Sequence, residues 1–454
     1  MKAGDRLTVH VSMAPAGEFS LDIFRMGYYG GAGARLISST TPLSATPQPD
    51  PTPGPDRVME CEWEASVVLD IPEDWLSGVY LGKLTRLDDA TESYVIFVVR
   101  DQRQADLIAQ TSDFTWQAYN RWPENHSLYS NGTSALTTYY GRDVAVTFDR
   151  PYLTTTFFTS PLPGTGEYFV FEYPFTFWLE KSGYDVTYCS GVDTHRGTAG
   201  FGRAKGFLSI GHDEYVTRDM YDNLLAARDA GLSLGFFTAN AYCFEIGIRP
   251  NRAGVADRSF NRDDSFGPDR SPESGFVAEG TLAEFAAAYP FPRKAPDEGL
   301  LIGGRSTWPV TGVADWVCDM PDHWIFEGTG MAKGDAIPNL VGHEWHGGPA
   351  DIPGLEVISS GPTWEPNAGP AEYKATVYPG PRDNIVFNAS TCWWSSGLAL
   401  PPGFQRPTSY NMPSALPDAR VQQITRNVLD RMLSGGTHTA TGTAACQTTG
   451  VEKS

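Results

Sequence analysis

Hydrophobic and polar positions along the chain follow two different periods. Over the first hundred residues they alternate. Leu7, Val9 and Val11 share one face; Phe19, Leu21 and Ile23 share another; Val79 and Leu81 repeat the pattern, as do Val95, Phe97 and Val99. Short alternating runs between turn residues, with no helical stretch among them, predict an immunoglobulin-like β-sandwich over residues 1–102. The Pro- and Thr-dense stretch 41–56 is expected to be a surface loop. From about residue 103 the apolar runs become continuous and alternate with helical patterns. Strands are predicted over 105–110, 184–188, 206–210, 232–237 and 384–388, and helices over 172–182 and 217–230. A last helix follows Pro417-Asp418, where Val421, Ile424, Val428 and Met432 form one apolar face. Strands alternating with helices predict a mostly parallel α/β body over residues 103–436. Residues 250–292, rich in Arg, Asp, Gly and Pro, read as a long excursion that walls or lids a site, and 437–454 as a disordered tail.

Composition adds exclusions. With 454 residues the chain can bury a large core across two or three domains, and a net charge of −20 argues against nucleic acid, which needs clustered Lys and Arg. Six widely spaced cysteines (Cys61, Cys189, Cys243, Cys318, Cys392 and Cys446) contain no Cys-x-x-Cys pair and do not read as a disulfide scaffold. No apolar run reaches membrane-spanning length, and the strand pattern starts within a few residues of Met1. The expectation is a soluble cytoplasmic protein without nucleic-acid or membrane partners; an exported protein whose leader has been removed would look the same.

Candidate chemistry sits at predicted strand ends, where open α/β sheets bind ligands. The strand 206–210 runs into Gly211-His-Asp-Glu-Tyr215, and spacing by two aims His212 and Glu214 to one side and Asp213 to the other. An imidazole and a carboxylate there can hold a metal ion; the plainer reading is a capped strand end. Asn240 follows the strand 232–237, as an oxyanion donor or a turn residue. In Leu340-Val-Gly-His-Glu-Trp-His346, His343 and His346 are candidate ligands and Glu344 a candidate base, unless the segment is a polar turn. Trp116, Tyr119 and Trp122 recur every three residues after the strand 105–110, as a packing stripe or, for Tyr119, as a hard phenolate ligand for ferric iron.

The blocks Ile23-Phe-Arg-Met-Gly-Tyr-Tyr-Gly-Gly-Ala-Gly-Ala-Arg35, Thr115-Trp-Gln-Ala-Tyr-Asn120, Gly211-His-Asp-Glu-Tyr215 and Asp322-His-Trp-Ile-Phe-Glu-Gly-Thr-Gly330 resemble the N,N-dimethylformamidase large-subunit family, over roughly residue 5 to the last helix. The resemblance implies a class I glutamine amidotransferase-like body. It also implies one non-haem iron held by Tyr119, His212 and Glu214, with Tyr139 or Tyr140 as alternatives to Tyr119, and hydrolysis of a small amide to a carboxylate and an amine. It further makes Asn240 a site residue and Glu344 the catalytic acid/base. Aromatics such as Trp116 and Phe237 are expected to form a dry wall around a small substrate. Iron as Fe(III) is expected, with zinc competing under the Irving–Williams order. Homo-oligomerisation and a small partner subunit stay open. Two further readings compete: a thiol hydrolase using Cys243, and a non-catalytic carbohydrate-binding or adhesion protein.

Overall fold

The computed structural model describes residues 1–130, 144–153, 162–265, 297–366 and 370–435. The continuous apolar runs form one seven-stranded sheet in the spatial order Val186–Ser190, Leu107–Thr111, Gly206–Gly211, Ser233–Thr238, Ile385–Asn388, Ala371–Pro379 and Glu356–Thr363. The first five strands are parallel; Ala371–Pro379 runs against them, and Glu356–Thr363 pairs antiparallel with it in turn. The parallel strands are buried along almost their whole length, which is why they read as unbroken apolar runs without alternation. Helices Tyr173–Lys181, Arg218–Asp229 and Ala419–Ser434 match the predicted positions. Val421, Ile424, Val428 and Met432 of the last helix are buried as one face. The body is therefore α/β, though strands far outnumber helices.

The first hundred residues form antiparallel sheets. Gly17–Met26, Gly78–Arg86 and Glu92–Val99 lie side by side with Ala34–Ser39, and Arg6–Val9 pairs with Val67–Asp70. Both sheets contribute to a core of Leu7, Val9, Phe19, Leu21, Ile23, Tyr80 and Val99. The stretch 41–56 is not wholly loop, since Leu43–Ala45 pairs with Gly17–Phe19. These sheets are fastened to the α/β body. Arg25 Nη2 donates to Glu180 Oε1 (2.9 Å) and to Ser77 O (2.7 Å), while Tyr188 N–H donates to Ser77 Oγ (2.8 Å). Met26, Val79, Leu81 and Val98 join the same apolar cluster as Trp178 and Tyr188.

Two elements had no counterpart in the periodicity. A mixed sheet of Tyr215–Val216, Phe244–Arg249, Ser259–Ser265 and Ala145–Thr147 stands at the carboxyl ends of the parallel strands. The excursion expected over 250–292 is thus a strand over Ser259–Ser265, and residues 266–292 lie outside the described residues. A long antiparallel pair, Gly304–Val317 with Ala336–Pro349, closes over the same end. The predicted tail 437–454 also lies outside the described residues. Among the described residues no helix is long and apolar enough to cross a membrane.

Candidate functional site

The strand order fixes where a site can form. From Leu107–Thr111 the chain goes to one neighbour, Val186–Ser190, and then returns past it to Gly206–Gly211 on the other side. A crevice opens at such a reversal, beyond the carboxyl ends of the two strands. The helix Asp113–Tyr119 leaves one of these ends and His212 the other.

Gly211 makes the turn possible. Its φ is +81°, and a Cβ there would lie 2.5 Å from Phe171 Cβ, so both backbone and space demand glycine. His212 and Glu214 then point into the crevice. Asp213 points away, accepting hydrogen bonds from Ser209 Oγ (2.7 Å) and Gln110 Nε2 (3.0 Å). Thr115 Oγ1 accepts from Glu214 N–H (3.0 Å) and pins the turn to the tyrosine helix. Tyr242 N–H donates to Asp213 O, latching the segment after Ser233–Thr238 to the same turn. Asn240 takes φ +48°, a left-handed conformation that Asn tolerates better than most residues.

The side chains that converge are nearly sealed from solvent: Tyr119, His212, Glu214 and Asn240 are each 2% exposed or less, and Glu344 3%. Tyr119 Oη donates to Glu214 Oε2 (2.5 Å). Tyr129 Oη lies 2.6 Å from Tyr119 Oη and 3.0 and 3.1 Å from the two Glu214 oxygens. His212 Nδ1 faces Glu167 Oε2 at 3.1 Å. Its Nε2 is 3.1 Å from Glu344 Oε2 and 3.6 Å from Glu214 Oε2. His212 Nε2 and Glu344 Oε2 are close enough to attract as charges, and this contact and its hydrogen bond hold the pair together, while Asn240 Oδ1 has no hydrogen-bond partner among the described residues. The Asn240 side chain hydrogen-bonds Glu344, and its amide nitrogen is the only donor available for that contact.

Burial and neighbouring charges set the protonation states. Burial pushes Glu214 up to about 7, reinforced by the Glu344 charge and opposed by His212. Burial would likewise raise Glu344, but His212, His343 and the Asn240 hydrogen bond outweigh it and hold the group below the usual carboxylate range. Burial alone would lower His212; Glu344 and Glu167 reverse this and hold the imidazolium well above its ordinary range. His343 is pushed down to about 4 by burial. The site thus holds two carboxylates whose environments drive them in opposite directions, the signature of divided acid–base roles.

A metal ion fits part of this arrangement. Bonds of about 2 Å to a first-row metal put neighbouring ligand atoms about 3 Å apart, which is the spacing among Tyr119 Oη, Tyr129 Oη and the Glu214 carboxylate. Among the described residues no three His, Cys, Asp or Glu side chains stand together in metal-holding geometry, so any such site depends on the phenols.

Other candidates fall elsewhere. His346 accepts from Ala241 N–H through Nε2 (3.0 Å) and faces Asn388 Oδ1 through Nδ1 (2.8 Å), so both ring nitrogens are engaged as a strut. Three-residue spacing on a strand puts His343 and His346 on opposite faces, and only His343 approaches His212, with ring centroids 5.9 Å apart. The segment 340–346 is the interior of a strand and not a polar turn. Trp116 donates to Glu172 (3.2 Å), and Trp122 lies beyond the helix against Trp63, so the three-residue stripe does not form. Phe237 packs on Phe175, Phe387 and Trp394; the ring facing His212 is Phe171, at 5.5 Å. Cys243 is buried in an apolar cluster with Tyr215 and Phe244, and the five described cysteines are unbridged. Tyr139 and Tyr140 lie outside the described residues.

The family signature described as N,N-dimethylformamidase beta subunit-like, C-terminal, matches residues 20–410. The chain belongs to this family. The match covers the antiparallel sheets from the strand Gly17–Met26 onward, the parallel sheet and every convergent residue named above, and it places the protein in a dimethylformamidase-like hydrolase family whose name denotes one subunit of an enzyme. A comparison with curated proteins finds no match. Within this dimethylformamidase-like chain, Tyr129, Tyr215 and Glu167 complete the site and carried no periodic signal. Only Tyr215 had a hint, as the last letter of the block Gly211–Tyr215.

Proposed function

We propose that the protein is a metal-dependent amidohydrolase that cleaves the C–N bond of a small linear amide, releasing a carboxylate and an amine. The body would share the glutamine amidotransferase-like layout, with the site at its strand reversal. The observation that carries this reading is the contact of Tyr119, Tyr129 and Glu214 oxygens beside a separate His212–Glu344 pair. Tyr119 and Glu214 would hold the ion, as the resemblance implies, with Tyr129 added as the third oxygen donor. His212, divided between Glu214 and Glu344, stands at the edge of this triangle and turns its Nε2 to the acid–base side. An all-oxygen set of two phenols and a carboxylate is hard and anionic, and favours ferric iron over zinc.

A bound ferric ion supplies Lewis acidity for the amide carbonyl and the attacking water. The protein's own groups do the rest. Glu344, ionised by its surroundings, accepts the water proton at Oε2 and returns it to the departing nitrogen. His212, held by Glu167, keeps Glu344 charged and oriented. Asn240 fixes the Glu344 carboxylate through its amide. Phe171 excludes water on the His212 side.

The test is elemental analysis with a visible absorption scan on wild type, Tyr129→Phe, Glu214→Gln and His212→Ala, alongside turnover of formamides. About one iron per chain in wild type, lost in Glu214→Gln and reduced in Tyr129→Phe, is expected. Retained iron with lost turnover in His212→Ala places His212 outside the ligand set; lost iron restores it as a ligand. No metal uptake by wild type from iron or zinc sinks the proposal.

A further inference from the structure

Behind Tyr129 a buried chain of polar groups leads away from the site and ends on a fixed positive charge. Tyr215 Oη lies 2.7 Å from Tyr129 Oη, and Arg262 Nη2 donates to Tyr215 Oη at 2.6 Å. Arg262 is fully buried. Its Nη1 donates to Leu128 O (2.7 Å), and its guanidinium carbon lies 4.4 Å from the Tyr129 ring centroid, 4.9 Å from Phe244 and 5.5 Å from Tyr215. Tyr215 and Phe244 stack in turn, with centroids 5.5 Å apart. The guanidinium is therefore clamped by three aromatic rings, Tyr215 and Phe244 on strands of the mixed sheet and Tyr129 outside it, and none of them belongs to the parallel sheet.

The direction of each hydrogen bond follows from chemistry. A guanidinium has donors and no acceptor, so Tyr215 Oη must accept from Arg262. That leaves Tyr215 one proton, and it points at Tyr129 Oη. Tyr129 Oη then accepts from Tyr215 and donates its own proton toward Tyr119 Oη and the Glu214 carboxylate; once that proton is lost, the phenolate charge faces the same way. Reversing any one bond would put two protons, or none, between the same pair of atoms. The polarity of the chain is imposed from the arginine end.

We propose that Arg262, acting through Tyr215, is a positioning residue that orients Tyr129 as an oxygen donor and tunes its donor strength. This rests on the reading of Tyr129 as a metal donor given above. A hydrogen bond delivered to a ligand oxygen withdraws electron density from it, and one backed by a cation withdraws more. Neither Arg262 nor Tyr215 touches the reacting atoms. Their effect is on how tightly and with what electronic character the phenol binds.

Tyr215→Phe removes the proton and keeps the ring, and Arg262→Lys keeps the charge while losing the planar fork. Both would be loaded with iron and compared with wild type by visible absorption, by iron loss to a competing chelator and, in the metal-free state, by urea unfolding. In Tyr215→Phe the phenolate-to-iron absorption band is expected to move to longer wavelength, because the phenolate becomes a stronger donor. Iron affinity is nevertheless expected to fall by about 10–100-fold, because Tyr129 loses the contact that orients it and the hydrogen bond that eases loss of its proton. Arg262→Lys should fall between the two in band position. An iron-loaded Tyr215→Phe protein with the wild-type band and wild-type chelator resistance overturns the inference while leaving the metal proposal intact. Wild type without a phenolate band overturns both. If Arg262→Lys unfolds in its metal-free form, Tyr215→Phe alone decides.

Discussion

Replacing Gly211 with alanine should cost the protein both stability and its site. The residue sits at φ +81°, where an L side chain brings its Cβ against the backbone, at about 1–2 kcal/mol. The added methyl would also lie 2.5 Å from Phe171 Cβ and 3.3 and 3.4 Å from the Phe171 backbone carbon atoms. Forcing a methyl into a packed site costs about 1–3 kcal/mol more, and here the clashing atoms are backbone and Cβ, which cannot swing away as a side-chain tip would. The sum is about 2–5 kcal/mol. Relief can come only by moving the short helix Tyr168–Phe171 or the turn that carries His212, whose ring packs on Phe171. Urea unfolding of the metal-free protein reads the stability, and iron content after loading reads the site. Gly202→Ala is the control, since nothing lies within 4 Å of a Cβ there and its φ is ordinary; it should change stability by about 1 kcal/mol or less. A Gly211→Ala protein as stable as wild type and equally loaded would refute this account of the turn.

Glu344→Gln should retain iron and lose turnover by about 10²–10⁴-fold, read by elemental analysis and steady-state assay. Arg25→Met takes the cation from Glu180, which keeps Tyr28 N–H and Tyr188 Oη, and the guanidinium donors from Ser77 O, and should lower stability by about 1–3 kcal/mol, measured by the urea midpoint. Asp213 is pushed up to about 7 from a model-peptide value of 3.8, chiefly by burial. Between those values the folded state binds a proton that the unfolded state has released, so this group's contribution to stability falls as pH rises through that window. The full loss is about 4 kcal/mol at most. Metal-free Asp213→Asn should accordingly lose less stability than wild type between pH 5 and pH 8.

The parallel strands and their helices were legible because burial on both faces writes unbroken apolar runs, and because Val421, Ile424, Val428 and Met432 keep a helical period. His212 and Glu214 were legible together, since two-residue spacing at a strand end survives into the turn. The paired strands Gly304–Val317 and Ala336–Pro349 were not. Their register shifts repeatedly, so no single alternation runs through them, and at His343 and Glu344 a polar turn stayed open beside the candidate ligand and base. Tyr129 reaches Glu214 from 85 positions away in sequence and Arg262 reaches Tyr215 from 47, and pairing over such distances leaves no local trace. The stripe of Trp116, Tyr119 and Trp122 misled because the helix ends at Tyr119, before its third member.

Val186–Ser190 is the outermost strand of the parallel sheet, and among the described residues one of its sides has no neighbouring strand to pair with. Ser77 takes the Tyr188 N–H there, its hydroxyl accepts from Thr187 as well, and the strands Gly78–Arg86 and Glu92–Val99 pack alongside. The amino-terminal sheets thus act as an edge guard. An open strand edge is a template for another chain, and it is commonly blunted by covering it. Removing the first hundred residues would bare this template together with the apolar cluster around Trp178, and the excised body would add strand to strand into aggregates instead of standing alone as a smaller enzyme.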